Sequence, residues 1–407
     1  MNIPLIRPAP PQLSLAIREL ESIERSGIYS NFGPVNTRFE RELLLRFFGG
    51  KGACLTVCNA TLGLMLAIKE AIGRAPRGEF ALMPSFTFAA TAHAAIWCGL
   101  TPLLCDINRA DWAADCSAEF GLLKQYAGRV AVVIPYATFG YPIDLERYER
   151  MRERFDVPVV VDAAASLGTC SERGLGFGSG FGGSVVFSMH ATKSFAVGEG
   201  GLIYSADSDR VARIRAMSNF GFGESRTATM PGLNAKLCEV GALLGSLRLA
   251  DYDRVMQHRA ALFNHYHDAL PECEFQTEAP GKQVHQFVPA LLPSQLIDRR
   301  AVIRAKLADQ GITTGTYFSP HLLEQPYFKE VCTAADSMPV CEEISKRVIS
   351  LPLFDRMTHR EVDYVAECVR KVINDMKHET REGTQGIEQQ VPALFGAMNN
   401  PVRENHL

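Results

Sequence analysis

The stretch ACLTVCNATLGLMLAIKEAIG, residues 53 to 73, joins two segments of different periodicity. ACLTV (53–57) has the length and apolar content of a buried strand, whereas TLGLMLAIKEAIG (61–73) has the apolar spacing of a helix. A strand that passes directly into a helix is the first part of a βα unit, and repeated units of this kind build a parallel sheet covered by helices. This stretch therefore predicts an α/β fold.

The same alternation continues to about residue 205. Six further apolar runs of strand length lie at residues 80–84, 101–107, 130–136, 157–163, 184–189 and 201–206. Several are separated by segments of helical period, such as LERYERMRERF before the run at 157–163. Seven strand candidates on a repeated βα theme predict a mostly parallel central sheet flanked by helices.

The sequence changes character after a long helical stretch at residues 237–270, where shorter elements follow. We place a domain boundary near residue 250. This gives a large domain with an N-terminal segment at residues 1–249 and a smaller C-terminal α/β domain at residues 250–376. Residues 377–407 are polar and lack a periodic pattern, so we predict a flexible tail there.

Composition narrows the class of protein. The chain has 407 residues, 42 basic and 45 acidic side chains, and a hydrophobic fraction of 47%, which is typical of a globular protein. A net charge of -3 and the lack of a basic stretch argue against nucleic acid as a partner. No run of about 18 apolar residues and no apolar segment behind a basic N-terminus is visible. We therefore expect a cytoplasmic protein that does not associate with membranes.

The cysteines predict neither a disulfide framework nor a metal site. There are eleven of them, an odd number, and most lie within apolar runs. The closest pair, Cys54 and Cys58, does not have CxxC spacing and has no matching pair of histidines. We expect reduced, buried thiols and no metal.

Lys193 is the first candidate for chemistry. It follows the strand candidate at 184–189 and precedes the pair Gly200 and Gly201. We therefore expect it in a loop at the carboxyl edge of the sheet, where the ligand sites of α/β proteins are usually found. A lysine among small, polar neighbours is a candidate Schiff-base nucleophile. The alternative is an ordinary lysine on a surface loop.

Asp162 ends the run at 157–163 and is predicted to lie at the same edge. A carboxylate there can bind a metal, a ribose or the protonated nitrogen of a heteroaromatic cofactor. The alternative is a strand-end aspartate that caps the next turn.

Three further positions at strand ends have polar groups that suit an anion. Ala60 and Thr61 lie where the first strand turns into a helix, so free N–H groups and a hydroxyl can converge there. Ser188 ends another strand and adds a second hydroxyl. Phe88 follows a fourth strand and has the shape to stack on a ring. The alternatives are a helix cap, a strand-end hydroxyl and a core aromatic residue, respectively.

Several segments occur together in a specific order. They are GIYSNFGPVNTRFERELLLRFFG (27–49), CNATLGLMLAI (58–68), PSFTFAATAHAAIWCGLTPLLCDI (84–107), VIPYATFGYPIDLERYERM (133–151), VVVDAAASLGT (159–169), VFSMHATKSFAVGEGGLI (186–203), GLNAKLCEVGALLGSL (232–247) and ISLPLFDRMT (349–358). From about Ile28 to Ile373 the chain thus resembles the DegT/DnrJ/EryC1/StrS family. Members of this family are sugar aminotransferases that use pyridoxal 5′-phosphate (PLP) on the fold-type-I aspartate aminotransferase scaffold.

The resemblance implies a role for each of the strand-end candidates. Lys193 matches the lysine that forms the internal aldimine, a Schiff base with PLP, and Asp162 matches the residue that pairs with the pyridine nitrogen. Ala60, Thr61 and Ser188 match the positions that bind the cofactor phosphate. Because relatives that dehydrate their substrate carry His in place of the aldimine lysine, Lys193 favours transamination.

The resemblance also covers residues around the ring and at a subunit boundary. Phe88 matches the aromatic residue that covers the ring face, whereas His190 lies near the lysine either as a cofactor neighbour or as loop packing. Asn234 matches an asparagine that reaches the phosphate of the neighbouring subunit, which implies a homodimer with shared sites. The alternative is that Asn234 caps the helix that follows it. Ala165 departs from the family, whose members usually have Gln or His there beside the ring, and this opens space at the cofactor.

The implied reaction moves an amino group from an amino acid, most simply L-glutamate, to a keto group of a nucleotide-linked sugar. The residues themselves require only an amine donor and a carbonyl acceptor. A small, non-nucleotide ketone is therefore an alternative acceptor, which Ala165 keeps open. A second alternative is a non-catalytic PLP-binding protein, although the presence of both Lys193 and Asp162 argues against it.

Overall fold

The computed structural model describes residues 1–223, 225–335 and 337–388. Within these ranges the strands are β1 (Ala53–Val57), β2 (Phe80–Pro84), β3 (Thr101–Cys105), β4 (Val130–Val133), β5 (Val160–Asp162), β6 (Ser184–Ser188), β7 (Gly201–Ser205), β8 (Val288–Leu291), β9 (Thr333–Ala334) and β10 (Val348–Leu351). The α-helices are α1 (Ile17–Ser26), α2 (Pro34–Phe48), α3 (Ala60–Ile72), α4 (Ala89–Trp97), α5 (Cys116–Gln125), α6 (Leu145–Phe155), α7 (Ser208–Met217), α8 (Glu239–Ala269), α9 (Arg300–Asp309), α10 (Pro326–Val331), α11 (Pro339–Arg347) and α12 (His359–Glu388). Short 3₁₀ turns lie at Leu13–Ala16, Thr138–Gly140, Ser294–Arg299 and Leu322–Glu324.

A central sheet runs in the order β1-β7-β6-β5-β4-β2-β3-β9. Parallel bridges between Val133 and Val159 and between Tyr136 and Asp162 join its two halves. Strand β7 is antiparallel to β1 and β6, and the remaining neighbours in this order are parallel. The predictions of an α/β fold and a mostly parallel sheet are confirmed, and each predicted run contains a strand.

Helices cover both faces of this sheet, which explains why its strands are apolar throughout rather than alternating. In β6, Val185 and Phe187 pack into one buried cluster with Phe48 of α2. Val186, between them, packs into a second cluster with Ile68 of α3. The alternation of these side chains divides the core into two layers, one on each side of the sheet.

A third buried cluster belongs to the C-terminal part of the chain. It contains Leu262 of α8, Ile303 of α9, Ile349 of β10 and Val365 of α12, and β8 pairs with β10 in an antiparallel ribbon beside it. Ile3 also packs into this cluster, although the sequence places the N-terminal segment with the large domain.

The chain passes from one part to the other within a continuous helix. The boundary predicted near residue 250 falls inside α8 and stays a prediction. Helix α12 continues to Glu388 and thus into the segment 377–407, which the sequence predicts as a flexible tail. The sequence does not indicate this extension, because a polar helix has no apolar period. Residues 389–407 lie outside the described residues.

All eleven cysteines are unpaired, although Cys116 and Cys238 are exposed rather than buried. Within the described ranges, no three His, Cys, Asp or Glu side chains are grouped so that they could hold a metal ion. None of the helices in these ranges is long and apolar enough to cross a bilayer.

Candidate active site

The ends of β1 and β6 meet the start of β7 at one edge of the central sheet. Val57 of β1 and Ser188 of β6 both pair with Gly201, the first residue of β7. A Cβ atom at Gly201 would lie 2.9 Å from the backbone nitrogen of Ala60. Glycine is therefore required for β7 to begin against the first turn of α3, and this close approach brings Ser188 and the start of α3 to the same place.

The N-terminus of α3 has the character of an anion site. Asn59 is the N-cap, and its side-chain oxygen accepts a hydrogen bond of 2.9 Å from the backbone N–H of Leu62. The N–H groups of Ala60 and Thr61 precede this bond and have no acceptor within the helix. The alternative that Thr61 is only a helix cap is therefore wrong, because Asn59 occupies that position.

Asp162 is buried at the end of β5, with 2% of its surface exposed. Its two carboxylate oxygens accept separate hydrogen bonds, of 2.6 Å from the Thr91 hydroxyl and 3.0 Å from the Ala164 N–H. Burial raises the pKa of Asp162, whereas these two bonds and the charge of Lys193 oppose the rise. Such a carboxylate gains most from a cationic partner brought into the site.

Lys193 is half-buried, and its Nζ donates a hydrogen bond of 3.0 Å to Oε1 of Gln286. Burial lowers the pKa of Lys193 to about 8, because an ammonium group loses its hydration there, while the negative charge of Asp162 opposes the shift. An amine with this pKa is partly neutral at physiological pH, which a nucleophile or a general base requires. Lys193 is therefore not a fully exposed loop residue, and its role in a cofactor site stays a prediction.

Three further candidates are Phe88, His190 and Ala165, which differ in exposure and in their contacts. Phe88 is 55% exposed at the N-cap of α4, so the alternative of a core aromatic residue is wrong. Its ring lies 6.3 Å from that of Phe318. The Nδ1 atom of His190 contacts the Thr192 hydroxyl at 2.8 Å, which is a contact within its own loop. Ala165 is buried, with 4% of its surface exposed.

Asn234 is exposed in this chain and does not cap α8. The N-cap of α8 is Cys238, whose sulfur accepts a hydrogen bond from Gly241, so the helix-cap alternative is wrong. The next residue, Ala235, accepts a hydrogen bond of 2.8 Å from the N–H of Cys58, just before α3. Asn234 therefore lies on the side of the sheet edge where α3 begins, with its side chain open to solvent.

Comparison with known proteins agrees with this arrangement of strands and helices. The model of the DegT/DnrJ/EryC1/StrS aminotransferase family matches residues 14–370. The chain belongs to this family. The resemblance read from the sequence is thereby confirmed, and the chain is a PLP-dependent aminotransferase of the sugar aminotransferase family.

Relatives of this DegT/DnrJ/EryC1/StrS aminotransferase match along nearly all of its length. Protein Rv3402c of Mycobacterium tuberculosis is 31% identical, over 91% of this chain and 90% of the relative. The dTDP-4-amino-4,6-dideoxy-D-glucose transaminase of Escherichia coli is 26% identical, over 87% of this chain and 94% of the relative. A crystal structure of a Bacillus cereus protein assigned as a PLP-dependent aminotransferase is 38% identical, with a TM-score of 0.86 over 91% of this chain and all of that chain. The predicted fold-type-I scaffold is confirmed.

The residues at the sheet edge of this aminotransferase suit PLP chemically. A buried carboxylate can hold a protonated ring nitrogen, free N–H and hydroxyl groups can hold a phosphate, and an amine of lowered pKa can attack an aldehyde. Gly201 keeps the space beside the first turn of α3 free of a side chain.

Two contacts of the site were missed by sequence reasoning. Thr91 stands in the first turn of α4 and contacts Asp162 across 71 residues of sequence, and its only signal is a hydroxyl among alanines. Gln286 contacts Lys193 across 93 residues, from the segment just before β8, and no local pattern indicates it.

We predict that Thr91→Val weakens PLP binding at least about tenfold, since a hydrogen bond to a charged group contributes roughly 1.5–3 kcal/mol. Loss of this bond raises the pKa of Asp162 further, so the carboxylate is more often neutral and the defect grows as the pH falls. Titration of the cofactor-free protein with PLP, followed by absorbance at several pH values, measures the effect.

The matched control is Thr87→Val. Thr87 is equally buried and contacts the Thr91 hydroxyl at 3.0 Å, but it makes no bond to Asp162. Its PLP affinity should stay close to that of the unmodified protein. Equal affinities for all three proteins would show that the Thr91 bond does not support the cofactor site.

Proposed function

We propose that this aminotransferase moves an amino group from L-glutamate to a keto group of a nucleotide-linked sugar, with Lys193 as its catalytic residue. The observation that carries the proposal is the placement of Lys193, an amine of lowered pKa, beside the buried carboxylate of Asp162. This pair combines a proton acceptor with a buried negative charge.

PLP, when bound, supplies an electron-withdrawing ring that stabilises negative charge on the carbon next to the transferred nitrogen. Asp162 keeps the ring nitrogen protonated by its charge. The N–H groups of Ala60 and Thr61, with the hydroxyls of Thr61 and Ser188, hold the phosphate. In this proposal, the ring nitrogen of the cofactor is bound at the end of β5 and its phosphate at the start of α3.

Lys193 has two tasks in this proposal. Its Nζ would be the point of covalent attachment for the cofactor, and once released the free amine would act as the general base that holds the proton taken from the donor's α-carbon. A base with a pKa near 8 is well suited to both directions of proton transfer at neutral pH. Phe88, exposed at the mouth of the site, covers the ring face.

The nucleotide-linked acceptor is supported by a relative rather than by a contact in this chain. The Escherichia coli relative is named for a dTDP-linked amino sugar and matches 87% of this chain. Ala165 keeps a small ketone as the second candidate, because its side chain is shorter than the Gln or His usual at this position in the family. A protein that binds PLP without catalysis is a third candidate.

The acceptor class can be tested in a single half-reaction. We expect the protein in its pyridoxamine 5′-phosphate form to regain the absorbance of the aldehyde form when mixed with a dTDP-linked 4-keto-6-deoxysugar. Small keto acids such as pyruvate should restore it far more slowly, and 2-oxoglutarate should restore it as the reverse of the donor reaction.

The outcomes separate the three candidates. Recovery with small ketones alone would overturn the nucleotide-sugar assignment. A protein that shows the PLP absorbance but loses it with none of the amino acids would support the non-catalytic alternative. Lys193→Ala should be inactive in both half-reactions, whereas Lys124→Ala, which changes an exposed lysine of α5, should be fully active.

We also propose that the functional unit is a homodimer in which Asn234 completes the partner's phosphate site. The exposed side chain of Asn234, at the edge where α3 begins, is free to contact a second copy. A closed two-fold pair in which each chain lends one residue is a common form of such an interface.

Mixing Asn234→Ala chains with Lys193→Ala chains tests this sharing. Each heterodimer then has one site with both residues intact and one site that lacks both, so activity should appear in the mixture although both parents are impaired. If Asn234 acts within its own chain, every site of the heterodimer has one defect and the mixture stays inactive. Normal PLP affinity of Asn234→Ala together with monomeric sedimentation would contradict the proposal altogether.

A further inference from the structure

We propose that Gln286 is a positioning residue that holds the amine of Lys193 in place whenever this amine is not bonded to the cofactor. The inference rests on the proposed role of Lys193 as the base. Among the described residues, Oε1 of Gln286 is the one hydrogen-bond acceptor of Lys193 Nζ, at 3.0 Å. This hydrogen bond therefore restricts the position of the Lys193 amine, which belongs to a long and flexible side chain.

The orientation of the Gln286 amide follows from its two neighbours. A lysine ammonium donates hydrogen bonds and accepts none, so the amide oxygen faces Lys193. The amide NH₂ group then faces the Thr192 hydroxyl at 3.5 Å, the limit of a hydrogen bond, and Thr192 in turn contacts Nδ1 of His190 at 2.8 Å. A series of contacts therefore connects Lys193 to His190 through Gln286 and Thr192.

The backbone around Gln286 is anchored in the C-terminal part of the chain. Nη1 of Arg259 donates hydrogen bonds of 3.1 Å to the carbonyl oxygens of both His285 and Gln286. Arg259 is buried and forms an ion pair of 2.7 Å with Asp355. The ring of His285 stacks on Phe263 with centroids 3.8 Å apart. The glutamine, itself 8% exposed, is therefore held from the side opposite the central sheet.

Because its backbone is anchored in this way, Gln286 can fix the position of the Lys193 amine. Lys193 stands on the sheet side of the site and Gln286 on the C-terminal side, so their bond spans the two parts of the chain. Since proton transfer depends steeply on the position of the base, loss of this bond should slow proton transfer more than it weakens cofactor binding.

The test uses two variants of opposite electrostatic effect. Gln286→Met keeps the length of the side chain but removes the acceptor that favours the ammonium form, so the pKa of Lys193 should fall. Gln286→Glu places a negative charge beside the amine, so the pKa of Lys193 should rise. Asp162 is the other charged group that acts on this amine, and it is unchanged in both variants.

The readout is direct labelling of Lys193 in the full chain loaded with pyridoxamine 5′-phosphate, in which the lysine is free. Acetylation by a limiting amount of acetic anhydride at a series of pH values, measured on the peptide that contains Lys193, gives the midpoint of its titration. The midpoint should move down for Gln286→Met and up for Gln286→Glu. In rapid-mixing experiments with glutamate, Gln286→Met should slow the single-turnover rate about tenfold while PLP affinity changes little.

Gln283→Met is the matched control, because Gln283 donates to the carbonyl oxygen of Phe139 at 3.3 Å and makes no contact with Lys193. It should leave both the midpoint and the rate unchanged. Unchanged midpoints in both Gln286 variants would overturn the inference, even if turnover fell. Full single-turnover activity of Lys193→Ala would instead overturn the proposed role of the lysine, so the two failures are distinguishable.

Discussion

The burial of the Asp162 carboxylate opposite the Lys193 amine is the constraint on which the rest of the site depends. Burial destabilises the charged form of each group, since it raises the pKa of Asp162 and lowers the pKa of Lys193. Two hydrogen bonds and the opposite charge of its neighbour keep the acid available as an anion. The site is thereby prepared for a cofactor that brings one cationic nitrogen and one aldehyde.

The order of the central sheet makes this pairing possible. Because β5 and β6 are parallel, Asp162 and Ser188 both end at the same edge. The reversed strand β7 begins at that edge, and its first residue, Gly201, lies against Ala60 at the start of α3. Lys193 lies in the connection from β6 to β7, which leaves and re-enters the sheet at this same edge.

Much of this site could be predicted from the sequence because its members terminate strands. Asp162, Ser188 and the start of α3 directly follow apolar runs, and the carboxyl ends of parallel strands share one edge. Thr91 and Gln286 escaped prediction because their positions depend on packing between distant segments, which no local period records. The long helical stretch predicted at residues 237–270 corresponds to α8. The boundary near residue 250 stays a prediction, because the apolar residues of α8 contribute to the core of both parts of the chain.

The location of the covalent bond to the cofactor tests the central claim most directly. The PLP-loaded protein is reduced with borohydride, digested, and its pyridoxyl-bearing peptides are mapped by mass spectrometry. The account predicts a single modified residue, Lys193, in near-stoichiometric yield with bound PLP. Modification of a different lysine, or full occupancy by PLP with Lys193 unmodified, would contradict it.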